Sequence, residues 1–346
     1  MAATSHELRE APAVRADDDV LVIRDLSVEF PTPEGPAAAV SSVSLTVRRG
    51  QRVAIVGESG SGKSVFSLAL LGIVNGQGSI TGGSVELNGR DLLTLPSDQL
   101  RKVRGREVAM VFQDPGTSLN PVMTVADQII APIRRHLGLG RAEARARAIR
   151  LLTETGIPDP ERNIDSYPHQ LSGGMRQRVM IAIALSANPD VLLADEPTTA
   201  LDVTIQAQIV ELLRTLGEEH NSSVIFVTHD MGLVARFADR IAVMYAGRIV
   251  EEGGVFDVFR DPQHPYTRGL LASIPVVVGD LPERLTQIDG TPPRLTDLPP
   301  GCSFVPRCTE KIAGCDERRP PLMEREKPDH QAACWLGTPM EVGTQA

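Results

Sequence analysis

The chain has no excess of positive charge, no long apolar run and no cysteine before Cys302. Its formal net charge of -9 argues against a nucleic-acid-binding protein, since such proteins usually present a basic surface. No apolar stretch approaches the ~18 residues needed to cross a bilayer, so any membrane role must come through a partner. The 346 residues, 42% hydrophobic and 23% charged, suit a folded protein with one large domain plus an extension, or with two domains. We detect no internal repeat.

The first residues are polar and acidic and contain no apolar segment of the kind found in secretory signals. We therefore expect residues 1–18 to be a disordered lead-in and the protein to be cytoplasmic.

Residues 57–64 match the pattern G-x-x-x-x-G-K-[ST] of a phosphate-binding loop. An apolar run at 53–56 predicts a buried strand before the loop, and residues 65–72 predict a helix after it. Glycines allow backbone N–H groups to point at phosphate oxygens, and the helix N-terminus adds partial positive charge. We expect Lys63 to reach the β- and γ-phosphates and the Ser64 hydroxyl to bind Mg²⁺. The predicted phosphate-binding residues are Gly57, Ser59, Gly60, Ser61, Gly62, Lys63 and Ser64.

Short apolar runs separated by helical segments predict an α/β fold. Residues 191–194 and 224–227 are expected to be parallel strands of a covered sheet, because both are wholly apolar. Residues 124–155 predict a helical stretch, and residues 31–36 predict a turn-rich break after a strand at 21–30.

Two carboxylates, Asp195 and Glu196, follow the strand predicted at 191–194. In open α/β sheets ligands bind at the carboxyl ends of the strands. Asp195 suits a role near Mg²⁺, and Glu196 suits polarising the water that attacks the γ-phosphate.

The segment 171–177, LSGGMRQ, predicts a second anion site at a helix start, with Ser172 as the N-cap. Together with the phosphate loop and the Asp195–Glu196 pair, it resembles the signature of the ATP-binding-cassette (ABC) ATPases, and the match extends over residues 170–184. The residues expected to bind nucleotide from this signature are Ser172, Gly173, Gly174 and Gln177.

The resemblance covers roughly residues 20–253 and implies several further roles. It implies that Gln113 binds Mg²⁺ and links the γ-phosphate to the transport subunit, and that His229 contacts the γ-phosphate. It also implies that residues 199–202 form a loop that crosses to the opposite subunit, with Asp202 as its acid. Phe30 stands where the family places an aromatic residue that stacks on adenine, and it is alternatively a core residue of its strand. In this family two such domains face each other head to tail, and each ATP lies between one phosphate loop and the other subunit's signature.

Two further segments resemble the dipeptide and oligopeptide importer ATPases, namely residues 113–121 and 263–271. The resemblance implies an ATP-hydrolysing, energy-coupling subunit that docks under two transmembrane permease subunits at the cytoplasmic face of the membrane. An extracellular solute-binding protein would supply the cargo, and the second ATPase would be identical or merely similar.

All four cysteines, at 302, 308, 315 and 334, lie in the Pro-rich C-terminal extension. Their spacing does not match the paired C-x-x-C of zinc ribbons, and disulfides are rare in the cytosol. Four thiolates suit an iron–sulfur cluster, and the segment 301–336 resembles importer ATPase tails that carry a [4Fe–4S] cluster. Zinc and free thiols remain alternatives. His330 could replace one ligand, although we expect it to be exposed.

We therefore predict a phosphate-loop NTPase (RecA-like) core with an antiparallel β subdomain and an inserted helical subdomain. The cassette is assigned to residues 19–255, its helical subdomain to about 114–187, and the extension with the cysteine site to 256–346. The rival functions are a non-transport ABC ATPase and a redox- or metal-sensing regulatory ATPase. The cargo cannot be read from the chain.

Overall fold

The computed structural model describes residues 18–199, 201–274 and 287–337. The lead-in predicted at 1–18 therefore lies, apart from Asp18, outside the described residues.

The strands are β1 Asp19–Thr32, β2 Gly35–Arg48, β3 Arg52–Val56, β4 Ser79–Leu87, β5 Arg90–Asp91, β6 Val108–Val111, β7 Val191–Asp195, β8 Ser223–Thr228, β9 Arg240–Tyr245, β10 Arg248–Gly254, β11 Met323–Glu324 and β12 Gln331–Ala332. The α-helices are α1 Lys63–Leu70, α2 Ser97–Val103, α3 Pro115–Ser118, α4 Val125–Leu137, α5 Arg141–Glu154, α6 Pro160–Asn163, α7 Gly173–Leu185, α8 Val203–Glu219, α9 Met231–Phe237, α10 Val255–Arg260 and α11 Pro265–Ala272.

The larger sheet has the strand order β11-β12-β10-β9-β3-β8-β7-β6. The five strands β9, β3, β8, β7 and β6 run parallel to one another. Every residue of β7 and β8 is buried, as expected when both faces of a parallel sheet are covered. The predicted parallel sheet is confirmed, and it brings the ends of β3, β6, β7 and β8 to one edge.

The smaller sheet is antiparallel, with the strand order β2-β1-β4-β5. It confirms the predicted antiparallel subdomain, but the break expected at 31–36 is much shorter. The hairpin continues past Pro31 and Pro36, which face each other as a pair, and only residues 33 and 34 form the turn. Proline is tolerated there because the end of a strand does not require its N–H for pairing.

The stretch predicted as helical at 124–155 is interrupted rather than continuous. Helix α4 ends at Gly138, which adopts a left-handed conformation with φ of 68°, and α5 begins after Gly140. A left-handed glycine ends a helix at little steric cost, so the chain turns here and α5 packs back against α4. Both helices bury apolar residues in one core with α7.

The C-terminal extension is packed onto the cassette. Strand β12 pairs with β10, with Ala332 opposite Glu251, and so extends the large sheet. Phe304 packs edge-on against Tyr245, with ring centroids 5.3 Å apart. The boundary at residue 255 stays a prediction. Within the described ranges, no helix has the length and apolar character needed to span a membrane.

Candidate nucleotide site

The phosphate loop connects β3 to α1, and its path requires glycine at two close approaches. Gly62 has φ of 101°, and a Cβ there would lie 2.2 Å from the Ala39 carbonyl oxygen. A Cβ on Gly57 would lie 2.2 Å from the Met244 carbonyl oxygen. Real Cβ atoms do not make such contacts, so the loop can fold against these neighbours only with glycine at both positions.

Lys63 is the first residue of α1 and is almost fully buried, with 4% of the residue exposed. Its Nζ donates to the carbonyl oxygens of Gly57 (2.8 Å) and Glu58 (2.9 Å) and lies 3.8 Å from Glu196 Oε1. Burial lowers the pKa of Lys63, while Glu196 and two further carboxylates oppose that shift. The Lys63 ammonium is thus held against the carbonyl groups of its own loop.

Asp195 ends β7 beside the start of α1. Its Oδ1 accepts a hydrogen bond from Ser64 Oγ at 3.1 Å. Burial raises the pKa of Asp195, and the Ser64 hydrogen bond counters that shift. A hydroxyl and a carboxylate oxygen at this separation are the hard oxygen donors that Mg²⁺ prefers.

Glu196 follows Asp195 and is the centre of a polar cluster. Its Oε2 accepts hydrogen bonds from Gln113 Nε2 (3.1 Å) and Thr199 Oγ1 (2.9 Å), and its Oε1 lies 3.4 Å from His229 Nδ1. Glu196 itself has a left-handed backbone, with φ of 42°, which is unusual for a residue with a side chain. Three loops at the ends of β6, β7 and β8 therefore converge on one carboxylate.

A cleft of about 470 Å³ opens beside the loop. It is lined by loop residues 59, 60 and 62–64 together with Phe30, Gln113, Glu196 and Leu295. Phe30 also packs against the apolar core under the small sheet, so its two predicted roles are compatible. The sequence does not identify Leu295, which carries no local motif. Thr199 is predicted only as the first residue of the loop at 199–202, and its hydrogen bond to Glu196 is seen only in the structure.

The signature residues form a separate group. Ser172 is exposed and caps α7, its Oγ accepting from the Met175 N–H at 3.3 Å. Asp202 is also exposed and caps α8, its Oδ1 accepting from the Ile205 N–H at 3.0 Å. None of the predicted signature residues lines the described part of the cleft.

The two signature glycines lie beside the start of α8. A Cβ on Gly173 would be 4.0 Å from Leu201, and one on Gly174 would be 3.3 Å from Ile205. Gln177 is buried, and its Nε2 has no hydrogen-bond partner among the described residues. The signature glycines thus lie against residues at the start of α8 and just before it.

The four cysteines converge in the extension. All of them line one small cavity, and none is in a disulfide. Burial raises the pKa of Cys302 to about 11 and raises the pKa of Cys308 and Cys334. Within the described residues, no three His, Cys, Asp or Glu side chains are placed so that they could hold a metal ion.

His330 is not exposed as expected. It is only 1% exposed, and its Nε2 lies 2.8 Å from Glu251 Oε1. The expectation fails because β12 inserts beside β10 and carries the preceding turn into the interior.

Two family matches together span much of the chain. Residues 40–199 match the ABC transporter family, and residues 250–315 match the oligopeptide/dipeptide transporter C-terminal region.

Among similar proteins, the dipeptide transport ATP-binding protein DppD of Lactococcus lactis is 49% identical, over 94% of this chain and 93% of that protein. The oligopeptide transport ATP-binding protein AppD of Bacillus subtilis is 47% identical, over 92% of this chain and 96% of that protein. A dimeric structure of the ATP-binding cassette MJ0796 in a post-hydrolysis state, bound to ADP and Pi, is 31% identical with a TM-score of 0.61 and covers 68% of this chain and 98% of that one. The chain therefore belongs to the ATP-binding proteins of the ABC transporter family, in the group that carries the oligopeptide/dipeptide transporter C-terminal region.

Proposed function

We propose that this ATPase is the energy-coupling subunit of an importer for dipeptides, oligopeptides or related solutes, and that it hydrolyses ATP at composite sites between two ATPase subunits. One observation is the main support for a site shared between two subunits. The Ser172 helix start is exposed and lies outside the cleft that the phosphate loop forms. The exposed N-terminus of this helix can bind phosphate if a second subunit presents its nucleotide there.

Each side chain has a defined task in hydrolysis. Lys63 and the loop N–H groups bind the β- and γ-phosphates and offset the charge that develops during transfer. Glu196 accepts a proton from the attacking water, and that water's oxygen bonds to the γ-phosphorus as the bond to ADP breaks. Gln113 and His229 flank the same carboxylate and orient the water and the γ-phosphate.

Ser64, Asp195 and Gln113 would hold Mg²⁺, which would neutralise phosphate charge when bound. The direct Ser64–Asp195 hydrogen bond supports this assignment, because it brings two hard oxygen donors together beside the loop.

ATP bridging two subunits makes the protein a ligand-driven switch. The γ-phosphate joins the phosphate loop of one subunit to Ser172 of the other, and hydrolysis removes that link. Two membrane permease subunits would receive this motion at residues 113–121, where α3 follows Gln113 at the end of β6. The protein would then lie at the cytoplasmic face of the membrane, with a solute-binding protein on the opposite side.

The cargo class rests on the named relatives, which are dipeptide and oligopeptide transport proteins. A tagged full-length chain should be purified from native membranes and the co-purifying subunits identified. We expect two permeases and an ATPase partner, and we expect peptides with their solute-binding protein to raise ATP hydrolysis in the reconstituted assembly. Co-purification with DNA-repair or translation factors instead of permeases would refute the transport assignment.

We also propose that Cys302, Cys308, Cys315 and Cys334 bind a [4Fe–4S] cluster. The four thiols surround one cavity, which supports a single shared ligand. Four thiols match the ligand count of a [4Fe–4S] cluster, whereas their spacing in the chain does not match the paired C-x-x-C of zinc ribbons. Iron binding would require the buried thiols to lose their protons.

Anaerobic purification tests the cluster. We expect a brown protein containing about four iron atoms per chain, and loss of the colour in the Cys315→Ser variant. A colourless sample containing zinc would refute the cluster.

A further inference from the structure

The phosphate loop contains an acidic residue, Glu58, although the triphosphate that the loop is expected to bind is itself strongly negative. A carboxylate beside a triphosphate opposes binding, because like charges repel across short distances even in partly solvated sites. Glu58 is only half-buried, with 28% of its side chain exposed. Some feature of the fold has to offset this charge.

Arg307 of the C-terminal extension lies against that carboxylate. Its Nη1 is 2.6 Å from Glu58 Oε2 and its Nη2 is 3.0 Å from Glu58 Oε1, which is a two-pronged ion pair. The Arg307 side chain is 3% exposed, and the pair with Glu58 raises the pKa of Arg307 above its usual value. Such a pair is stronger and more directional than an exposed single-contact bridge.

The guanidinium is held from its other sides. Its Nε donates to the Asp289 carbonyl oxygen at 2.9 Å, and Nη2 also donates to the Ile288 carbonyl oxygen at 3.2 Å. Its Cζ lies 5.9 Å from the ring centroids of Tyr245 and Phe304. A planar, multiply bonded guanidinium is preorganised in a way that a lysine ammonium at the same place could not be.

The extension reaches the backbone of the same residue. The Glu58 N–H donates to the Tyr266 hydroxyl at 2.8 Å, and the Glu58 carbonyl oxygen accepts from Lys63 Nζ at 2.9 Å and from the Ser61 N–H at 3.2 Å. Tyr266 is fully buried. Glu58 is therefore held by the extension on its side chain and its N–H, while its carbonyl holds the phosphate-binding lysine.

We propose that Arg307 is a positioning residue for nucleotide binding, acting through Glu58 to cancel its charge and to fix the loop that presents Lys63. The inference rests on ATP occupying the phosphate loop, as in the proposed function. It assigns to the extension a direct part in nucleotide affinity.

The test is a double-substitution cycle on the full-length chain, with MgADP affinity measured by calorimetry. We expect Arg307→Met to weaken MgADP binding about tenfold, the equivalent of 1.4 kcal/mol. Glu58→Gln in the same chain should restore most of that affinity, because it removes the charge that Arg307 had cancelled. Lys327→Met is the matched control, since it removes one positive charge and the ion pair with Asp257 from the extension without contacting the loop. This control should bind MgADP like the unaltered protein.

Steady-state ATP hydrolysis separates positioning from a structural role. Arg307→Met should raise the KM for ATP and change kcat little, and Arg307→Lys should recover only part of the KM because it cannot bond both oxygens at once. If Arg307→Met does not fold, Arg307→Gln takes its place in the same cycle, because it also removes the charge but keeps a hydrogen-bond donor for the carbonyl groups of Asp289 and Ile288.

Failure of Glu58→Gln to restore affinity in the altered chain would overturn the proposal and leave Arg307 a structural residue. Failure of the unaltered protein to bind MgADP would instead contradict the proposed function. The two failures are therefore distinguishable.

Discussion

The phosphate loop and the signature helix are both glycine-containing helix starts, but they differ in how their side chains are hydrogen-bonded to the rest of the chain. Around the loop, Lys63 bonds two carbonyl groups and Ser64 bonds Asp195. Among the described residues, Ser172 bonds only the turn that it caps, and it faces solvent. This difference supports the proposal that the phosphate loop is preorganised within one subunit and that the signature receives its ligand from a second subunit.

The largest expected effect comes from Glu196→Gln, which removes the proton acceptor and keeps the shape of the side chain. We expect hydrolysis to fall by roughly 10²–10⁴-fold, as for loss of a general base. ATP should stay bound and dimers should accumulate, because the link across the two subunits is no longer cut. Phosphate release measures the rate of hydrolysis, and light scattering of the eluted protein with MgATP measures the proportions of monomer and dimer. Unchanged turnover would show that Glu196 is not the base.

A mixed-subunit experiment probes the signature side of the comparison. Ser172→Arg should block the signature while MgADP affinity stays close to that of the unaltered chain, whereas Lys63→Met should weaken nucleotide binding. Each variant alone should be nearly inactive.

Mixing the two variants in equal amounts should restore about one quarter of normal hydrolysis, since half of a random dimer population has one intact composite site of its two. The measurement is phosphate release against mixing ratio. If mixing restores no hydrolysis, the opposing signature belongs to a different polypeptide. If Ser172→Arg hydrolyses ATP normally without a partner variant, the composite site is contradicted.

The smallest effect concerns Leu295, which brings the extension to the rim of the cleft. We expect Leu295 to contact the bound nucleotide, so Leu295→Ala should remove apolar contact worth about 1 kcal/mol and lower MgADP affinity about fivefold. Leu298→Ala is the control, because Leu298 packs on the large core and does not line the cleft. Equal losses in both variants, measured by calorimetry, would indicate a general destabilisation of the extension.

Much of the nucleotide site could be predicted from local patterns. A strand, a glycine loop and a helix are contiguous in sequence, and the carboxylates at 195 and 196 directly follow an apolar strand, so each motif carries its own structural context. The helix interruption at Gly138 was missed because good helix formers lie on both sides of a short loop with two glycines. His330 was misjudged because its burial depends on pairing with a strand some eighty residues earlier in the chain.

The predicted chemistry follows from short-range patterns: the loop expected to bind phosphate, the two carboxylates and the signature each meet their physical requirements within a few residues. The contacts that the extension makes with this site arise only from the folding of distant segments against one another. Arg307 reaches Glu58 across 249 positions of the chain, and Leu295 reaches the cleft, because the extension folds back over the cassette. Such contacts depend on the packing of Phe304 and Tyr266 around Tyr245, which brings together segments that are far apart in the chain.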